Sequence, residues 1–187
     1  IQAHSPGMHY ARHTIANVLT GMPEAGIRNI YYKSETTLPY KARLDPVNDY
    51  LIGHADTDVA IENSLKFHVD WLRGQKTGFF VDQRDNRALL GKYAAARRVL
   101  NMFCYTGGFS VYALAGGAAS VTSVDSSAKA ISLTDANVAL NQNGDATAAG
   151  RHRSEATDAF KFLQNMDSNA YDLIILDPPA FAKHHSA

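Results

Sequence analysis

Three aspartates and a pair of glycines are the residues best placed to do chemistry in this chain. The glycines lie in "NMFCYTGGFS", Asn101 to Ser110, where an apolar run ends and an alanine-rich run begins. Glycine at such a corner lets backbone approach a ligand, and the start of the next helix supplies N–H groups behind it. The pattern is T-G-G-F-S, from Thr106, Gly107, Gly108, Phe109 and Ser110. It lacks the spaced third glycine of a dinucleotide loop, and no Gly-Lys-Ser/Thr follows as in a P-loop. A diphosphate therefore fits poorly, and an adenosine with a small polar tail fits better. An ordinary tight turn from strand to helix is the alternative. Cys104, the only cysteine, stands between Phe103 and Tyr105 with no base adjacent in sequence. It reads as a buried, inert thiol rather than a nucleophile.

Each aspartate ends or follows an expected strand. Asp125 comes eighteen residues after Gly107 and precedes Ser126 and Ser127. A carboxylate there can accept both hydroxyls of a ribose, or it can cap the next helix. Asp158, in "ATDAF", can take the amine of an adenine with Phe160 as an apolar wall, or serve as an N-cap. Asp177 is followed by Pro178 and Pro179. Two prolines cannot continue a strand ladder, and they hold Asp177 rigidly where the chain leaves the sheet. A plain strand terminator is the alternative.

The elements around these residues alternate. "RRVLNMF", "SVTSVD" and "YDLIILDPP" are expected strands. "GGFSVYALAGGA" is an expected helix closed by Gly116 and Gly117. "SSAKAISLTDANVALNQNG" is another, with a serine cap and a glycine stop, and a short one covers about Asp158 to Met166. Apolar strands alternating with helices imply a doubly wound α/β domain with a parallel sheet, which binds ligands at the carboxyl ends of its strands. The first part reads as a small α+β domain over 1–72, ahead of a Rossmann-like domain over 73–187. It has a helix over Met8 to Leu19, a strand over Ile27 to Lys33, and a loop over "SETTLPYKARLDPVNDY". Two short strands, Val59 to Glu62 and Leu65 to Val69, flank an Asn63-Ser64 turn.

Lys+Arg and Asp+Glu both total 18, so bulk charge gives no argument for nucleic acid or an anionic membrane. One cysteine excludes an internal disulfide and a multi-cysteine metal site. His184 and His185 have no third partner, so no metal is expected. No run of eighteen apolar residues and no basic-then-apolar leader is present, and a reducing cytoplasm is the expected location.

"KTGFFVDQRDNR", "VLNMFCYTGGFS", "SVDSS", "ATDAF" and "YDLIILDPPAFAK" together resemble class I S-adenosylmethionine-dependent methyltransferases. The similarity is strongest to the 23S rRNA large-subunit cytosine-5 methyltransferase I family and extends over nearly the whole chain. The resemblance implies S-adenosyl-L-methionine as cofactor and ribosomal RNA as partner, with a homodimer admitted and no membrane. It implies a cofactor site of Asn101, Phe103, Tyr105, Thr106, Gly107, Gly108, Phe109, Ser110, Asp125, Ser126, Asp158, Ala159, Phe160, Asp177 and Pro178. Gln83 and Arg84 would lie in a segment that closes over it. Asp177 is the one candidate catalytic residue. Family members begin with a PUA domain and have a seven-stranded sheet, so the chain is expected to be a central fragment. The cytosine-attacking cysteine is then expected beyond Ala187. Ala180 directly follows the prolines and Phe181 comes next, which matches the ribosomal "DPPxF" pattern rather than that of amino-directed enzymes. Phe181 is a candidate contact to a base, with a core residue as the alternative. A small-molecule methyltransferase or other adenosine-cofactor enzyme, and a non-catalytic binding module, are the rival classes.

Overall fold

The computed structural model describes residues 1–39, 43–54, 58–74, 77–142 and 150–178. They divide into two compact units. One comprises Ile1–Asp58 with Trp71–Thr77, and the other Val59–Asp70 with Gly78–Ala187.

In the first unit, helix α1 (Pro6–Thr20) starts at Ser5, whose hydroxyl accepts from the Met8 N–H, with proline in the first turn. Strands β1 (Ile30–Tyr32) and β2 (Asp49–Ile52) pair antiparallel. The expected loop over residues 34–50 is thus shorter than its composition suggested. Its last two residues, Asp49 and Tyr50, belong to β2, where Tyr50 packs edge-on to Tyr31.

The second unit begins with a hairpin, β3 (Val59–Glu62) and β4 (Leu65–His68). Asn63 and Ser64 both have positive φ, the conformation of a two-residue turn that matches strand twist. Phe67 and Val69 are fully buried against Val111, Tyr112 and Val138. That packing groups the hairpin with the sheet, whereas the sequence suggested a division at residues 72/73.

Four parallel strands follow: β5 (Arg98–Met102), β6 (Ser120–Asp125), β7 (His152–Ala156) and β8 (Leu173–Leu176), in the order β7-β6-β5-β8. The helices are α2 (Arg84–Tyr93), α3 (Gly108–Ala115), α4 (Ala128–Leu140) and α5 (Ala159–Gln164). Alternate strand residues face opposite sides of the sheet. Val99 and Val121 pack with Leu90 of α2 and Ala113 of α3, while Leu100, Met102 and Val124 pack with Phe162 of α5. This is the Rossmann-like α/β architecture expected. Strand β7, "HRSEA", is too polar to be legible as a strand; it lies at the sheet edge, where Arg153 and Glu155 are tolerated. Arg87 of α2 is buried and pairs with Glu62 at 2.7 Å and 2.9 Å. Its guanidinium also stacks on Phe79, and Glu62 accepts from the Tyr112 hydroxyl.

Candidate functional site

Strand register sets the site. Met102 is level with Val124 on one side and Leu176 on the other, and Asp125 is level with Ala156. The carboxyl edge therefore lines up Ala156, Asp125, Phe103 and Asp177, with Asp158 two residues beyond Ala156. Strands β5, β6 and β7 step one way across the sheet, and β8 lies on the other side of β5. That reversal opens a crevice between the β5 and β8 ends, where doubly wound sheets take ligands.

The β5–α3 loop is tightly specified. Phe103, Tyr105 and Gly107 all have positive φ. The Cys104 N–H donates to Val124 O, and Gly107 N–H donates to Cys104 O at 2.8 Å. Asp125 Oδ2 accepts from the Tyr105 N–H and Oδ1 from the Ser127 N–H, each at 2.9 Å. A carboxylate has about four acceptor sites, so these two bonds leave capacity on both oxygens for a ribose diol. Asp125 is only partly buried, so a ligand can reach it. Ser127 is the N-cap of α4, and the bonds Asp125 makes within the loop are compatible with ligand binding. The Tyr105 ring meets Phe80 edge-on, which runs the segment after Gly78 alongside the loop.

Several expected contacts face elsewhere. Asn101 and Ser110 are buried, and Asn101 Nδ2 donates to Ser110 Oγ at 2.9 Å. Ser110 Oγ meets Ser123 Oγ at 2.7 Å, and Ser123 Oγ meets His152 Nε2 at 2.8 Å. These side chains support the loop from below, bonded to one another inside the sheet. Phe109 likewise packs on the core beside α3 and Phe103 on the α5 side, so both rings serve packing. Thr106 is buried, and its carbonyl accepts from Asn137. Gly108 fits because a Cβ would lie 3.0 Å from Arg87 Cδ.

Asp158 caps α5: its Oδ1 accepts from the N–H groups of Phe160 and Lys161. Oδ2 takes neither bond, and the exposed Phe160 ring stands two residues on. Ala159 packs inward with Met102, and Ser126 is exposed. Asp177 and Pro178 are exposed at the end of β8. Gln83 is the N-cap residue of α2, with Oε1 accepting from Asn86, and Arg84 pairs with Asp85 at 3.2 Å. Pro179, Ala180, Phe181, His184 and His185 lie outside the described residues.

Burial pushes the Cys104 thiol up to about 12, against a weaker opposing hydrogen bond to Thr134. Thiolate is therefore scarce at neutral pH, which removes the nucleophilic form. Thr134 and Asn137 of α4 were missed as loop supports. Their spacing with Asn141 puts three polar side chains on one helix face, and that was the available signal.

An acid at the end of β6, a glycine corner after β5 and a topological switch between β5 and β8 define a Rossmann-like domain suited to an adenosine-type ligand. Residues 11–186 match the family described as S-adenosylmethionine-dependent methyltransferase, and the chain belongs to that family. It is 42% identical over 185 residues to the ribosomal RNA large subunit methyltransferase I of Tolumonas auensis, covering 96% of this chain and 45% of that protein. A structure assigned as a SAM-dependent methyltransferase from Streptococcus mutans is 28% identical with a TM-score of 0.68, covering 91% of this chain and 44% of that one. Another, assigned as a methyltransferase and complexed with SAH, is 28% identical with a TM-score of 0.69, covering 95% and 45%. The chain thus spans under half the length of the curated relatives it matches. No helix among the described residues is long and apolar enough to cross a membrane.

Proposed function

We propose that this chain carries the S-adenosylmethionine site of a methyltransferase that acts on large-subunit ribosomal RNA, with cytosine C5 of 23S rRNA as the target atom. The observation that carries the cofactor reading is Asp125, which binds the Tyr105 N–H of the glycine loop and keeps acceptor capacity on both oxygens. Asp125 takes the ribose, Asp158 Oδ2 the adenine amine, and the loop backbone the remaining part of the ligand. Gln83 and Arg84 close over it from the start of α2. The cofactor supplies a methyl group on a sulfonium sulfur. The chain orients that group toward the crevice and excludes water from it. Asp177 stands at the crevice end of β8, on the side from which a base would approach.

The RNA reading rests on the relatives named for ribosomal RNA. With it go a cytoplasmic location and an RNA-facing role for the first unit. A homodimer finds no support in these comparisons.

The test is calorimetric titration of the intact protein with S-adenosylhomocysteine, S-adenosylmethionine and NAD. Binding of both sulfur ligands and not of NAD is expected. Asp125→Asn should weaken the sulfur ligands by roughly tenfold to a hundredfold, the range for a hydrogen bond to a charged group. NAD binding, or an Asp125→Asn variant with unchanged affinity, would overturn the cofactor reading. Methylation of 23S rRNA at an atom other than cytosine C5, read by mass spectrometry of nucleosides, would overturn the target.

A further inference from the structure

We infer that Thr134 and Asn137 on α4 are positioning residues that set the ligand-facing backbone of the β5–α3 loop, and that strand β4 holds Asn137 in register for that task. The inference rests on the cofactor reading of this loop. Both side chains are fully buried. Thr134 Oγ1 donates to the Tyr105 carbonyl at 3.0 Å, and Asn137 Nδ2 donates to the Thr106 carbonyl at 2.8 Å. Tyr105 and Thr106 are the two central residues of the turn closed by Gly107 N–H on Cys104 O. In a trans peptide the C=O and the next N–H point opposite ways. Drawing the Tyr105 carbonyl onto α4 therefore aims the Thr106 N–H away from α4. Asp125 holds the Tyr105 N–H at the same turn.

The Asn137 amide has no freedom to flip. Its Oδ1 accepts from the His68 N–H at 2.7 Å, and a backbone N–H can only donate. Its Nδ2 must then face Thr106 O, which can only accept. One turn later, Asn141 repeats the device on the hairpin, and its Nδ2 also donates to the Asn137 carbonyl at 2.7 Å. Its Oδ1 accepts from Lys66 N–H at 2.8 Å, and its Nδ2 donates to Lys66 O at 2.6 Å. Residues four apart on α4 thus meet residues two apart on β4. Asn141 serves as the internal comparison, because it grips the hairpin without touching the loop turn.

The experiment uses the intact protein, with S-adenosylhomocysteine affinity by calorimetry and ligand-free unfolding by thermal scan. Thr134→Val keeps the shape and loses the donor. Asn137→Asp keeps the acceptor for His68 and loses the donor to Thr106. Each should raise the dissociation constant roughly tenfold, the worth of about one hydrogen bond. Thr134→Ser, which keeps the hydroxyl, should bind as the wild type does. Asn141→Ala should lower the unfolding midpoint and leave the dissociation constant within about twofold. Unchanged affinity in Thr134→Val would overturn the inference while leaving the cofactor reading intact. So would an Asn141→Ala variant that loses as much affinity as Asn137→Asp, because affinity would then merely follow stability. A wild-type protein that binds no S-adenosylhomocysteine would overturn both.

Discussion

Replacing Gly107 with alanine tests the loop at its tightest point. Gly107 has φ +75°, in the left-handed region, where an L-residue costs about 1–2 kcal/mol. A Cβ built there would also lie 2.5 Å from Thr134 Cγ2, and 3.0 Å from both Thr134 Cβ and Oγ1. Thr134 cannot swing aside cheaply, because it is fully buried and its hydroxyl bonds Tyr105 O. Overpacking of this kind costs about 1–3 kcal/mol. Gly107→Ala is therefore expected to lose about 2–5 kcal/mol of stability in urea denaturation. Thr134→Ser removes Cγ2, the nearest of the three contacts. Combined with Gly107→Ala it should recover part of the overpacking loss and none of the backbone strain. The double-mutant cycle should show a favourable coupling of about 0.5–3 kcal/mol. A Gly107→Ala variant within about 0.5 kcal/mol of wild type would refute the conformational reasoning. Strict additivity of the two substitutions would refute the contact.

The buried Arg87–Glu62 pair yields another expectation: Arg87→Met should cost about 3–5 kcal/mol by stranding Glu62, and Arg87→Met with Glu62→Gln should recover much of it, both read by denaturant unfolding. His152 has its ionisation pushed down by burial, opposed by Asp135. Its neutral form is favoured in the folded state, so this contribution is full above about pH 6.5 and fades as pH falls through the lower folded value. Wild type should lose stability on acidification through that window, and His152→Gln should flatten that part of the pH profile. Cys104, with its thiol raised to about 12, should resist an aromatic disulfide reagent at pH 8 until denaturant is added. Its stability contribution runs the opposite way in pH, full below about pH 8.5 and lost as pH rises toward the folded value.

What was legible in the sequence was what local pattern encodes. The apolar strands around Leu100, Val121 and Ile174, the Ser127 cap and the Asn63-Ser64 turn each depend on neighbours in the chain. The lined-up acids were legible too, because Asp125, Asp158 and Asp177 follow strands whose ends a parallel sheet must bring to one edge. Strand β7 was expected ahead of Asp158, but its residues were not legible, because His152 to Glu155 are held by pairing to β6 and not by an apolar period. Helix α2 was hidden because its first turn, Arg84 to Arg87, is wholly polar, and Arg87 is buried only through Glu62. Burial of Asn101 and Ser110 beneath the loop was equally invisible. Polar residues beside a glycine corner suggest contact with a ligand, and only the partners Ser123 and His152 turn them inward.

The tie between β4 and α4 also bears on how the protein is made. His68 and Asn137 are 69 residues apart in sequence. At a translation rate of about 5–20 residues per second, the hairpin waits roughly 3–14 s for its helix to be synthesised. During that interval Phe67 and Val69 lack the α4 surface, at Val138, that later helps to cover them. The nascent chain therefore carries two incompletely covered apolar side chains at the hairpin for seconds, a segment for ribosome-associated chaperones to shield.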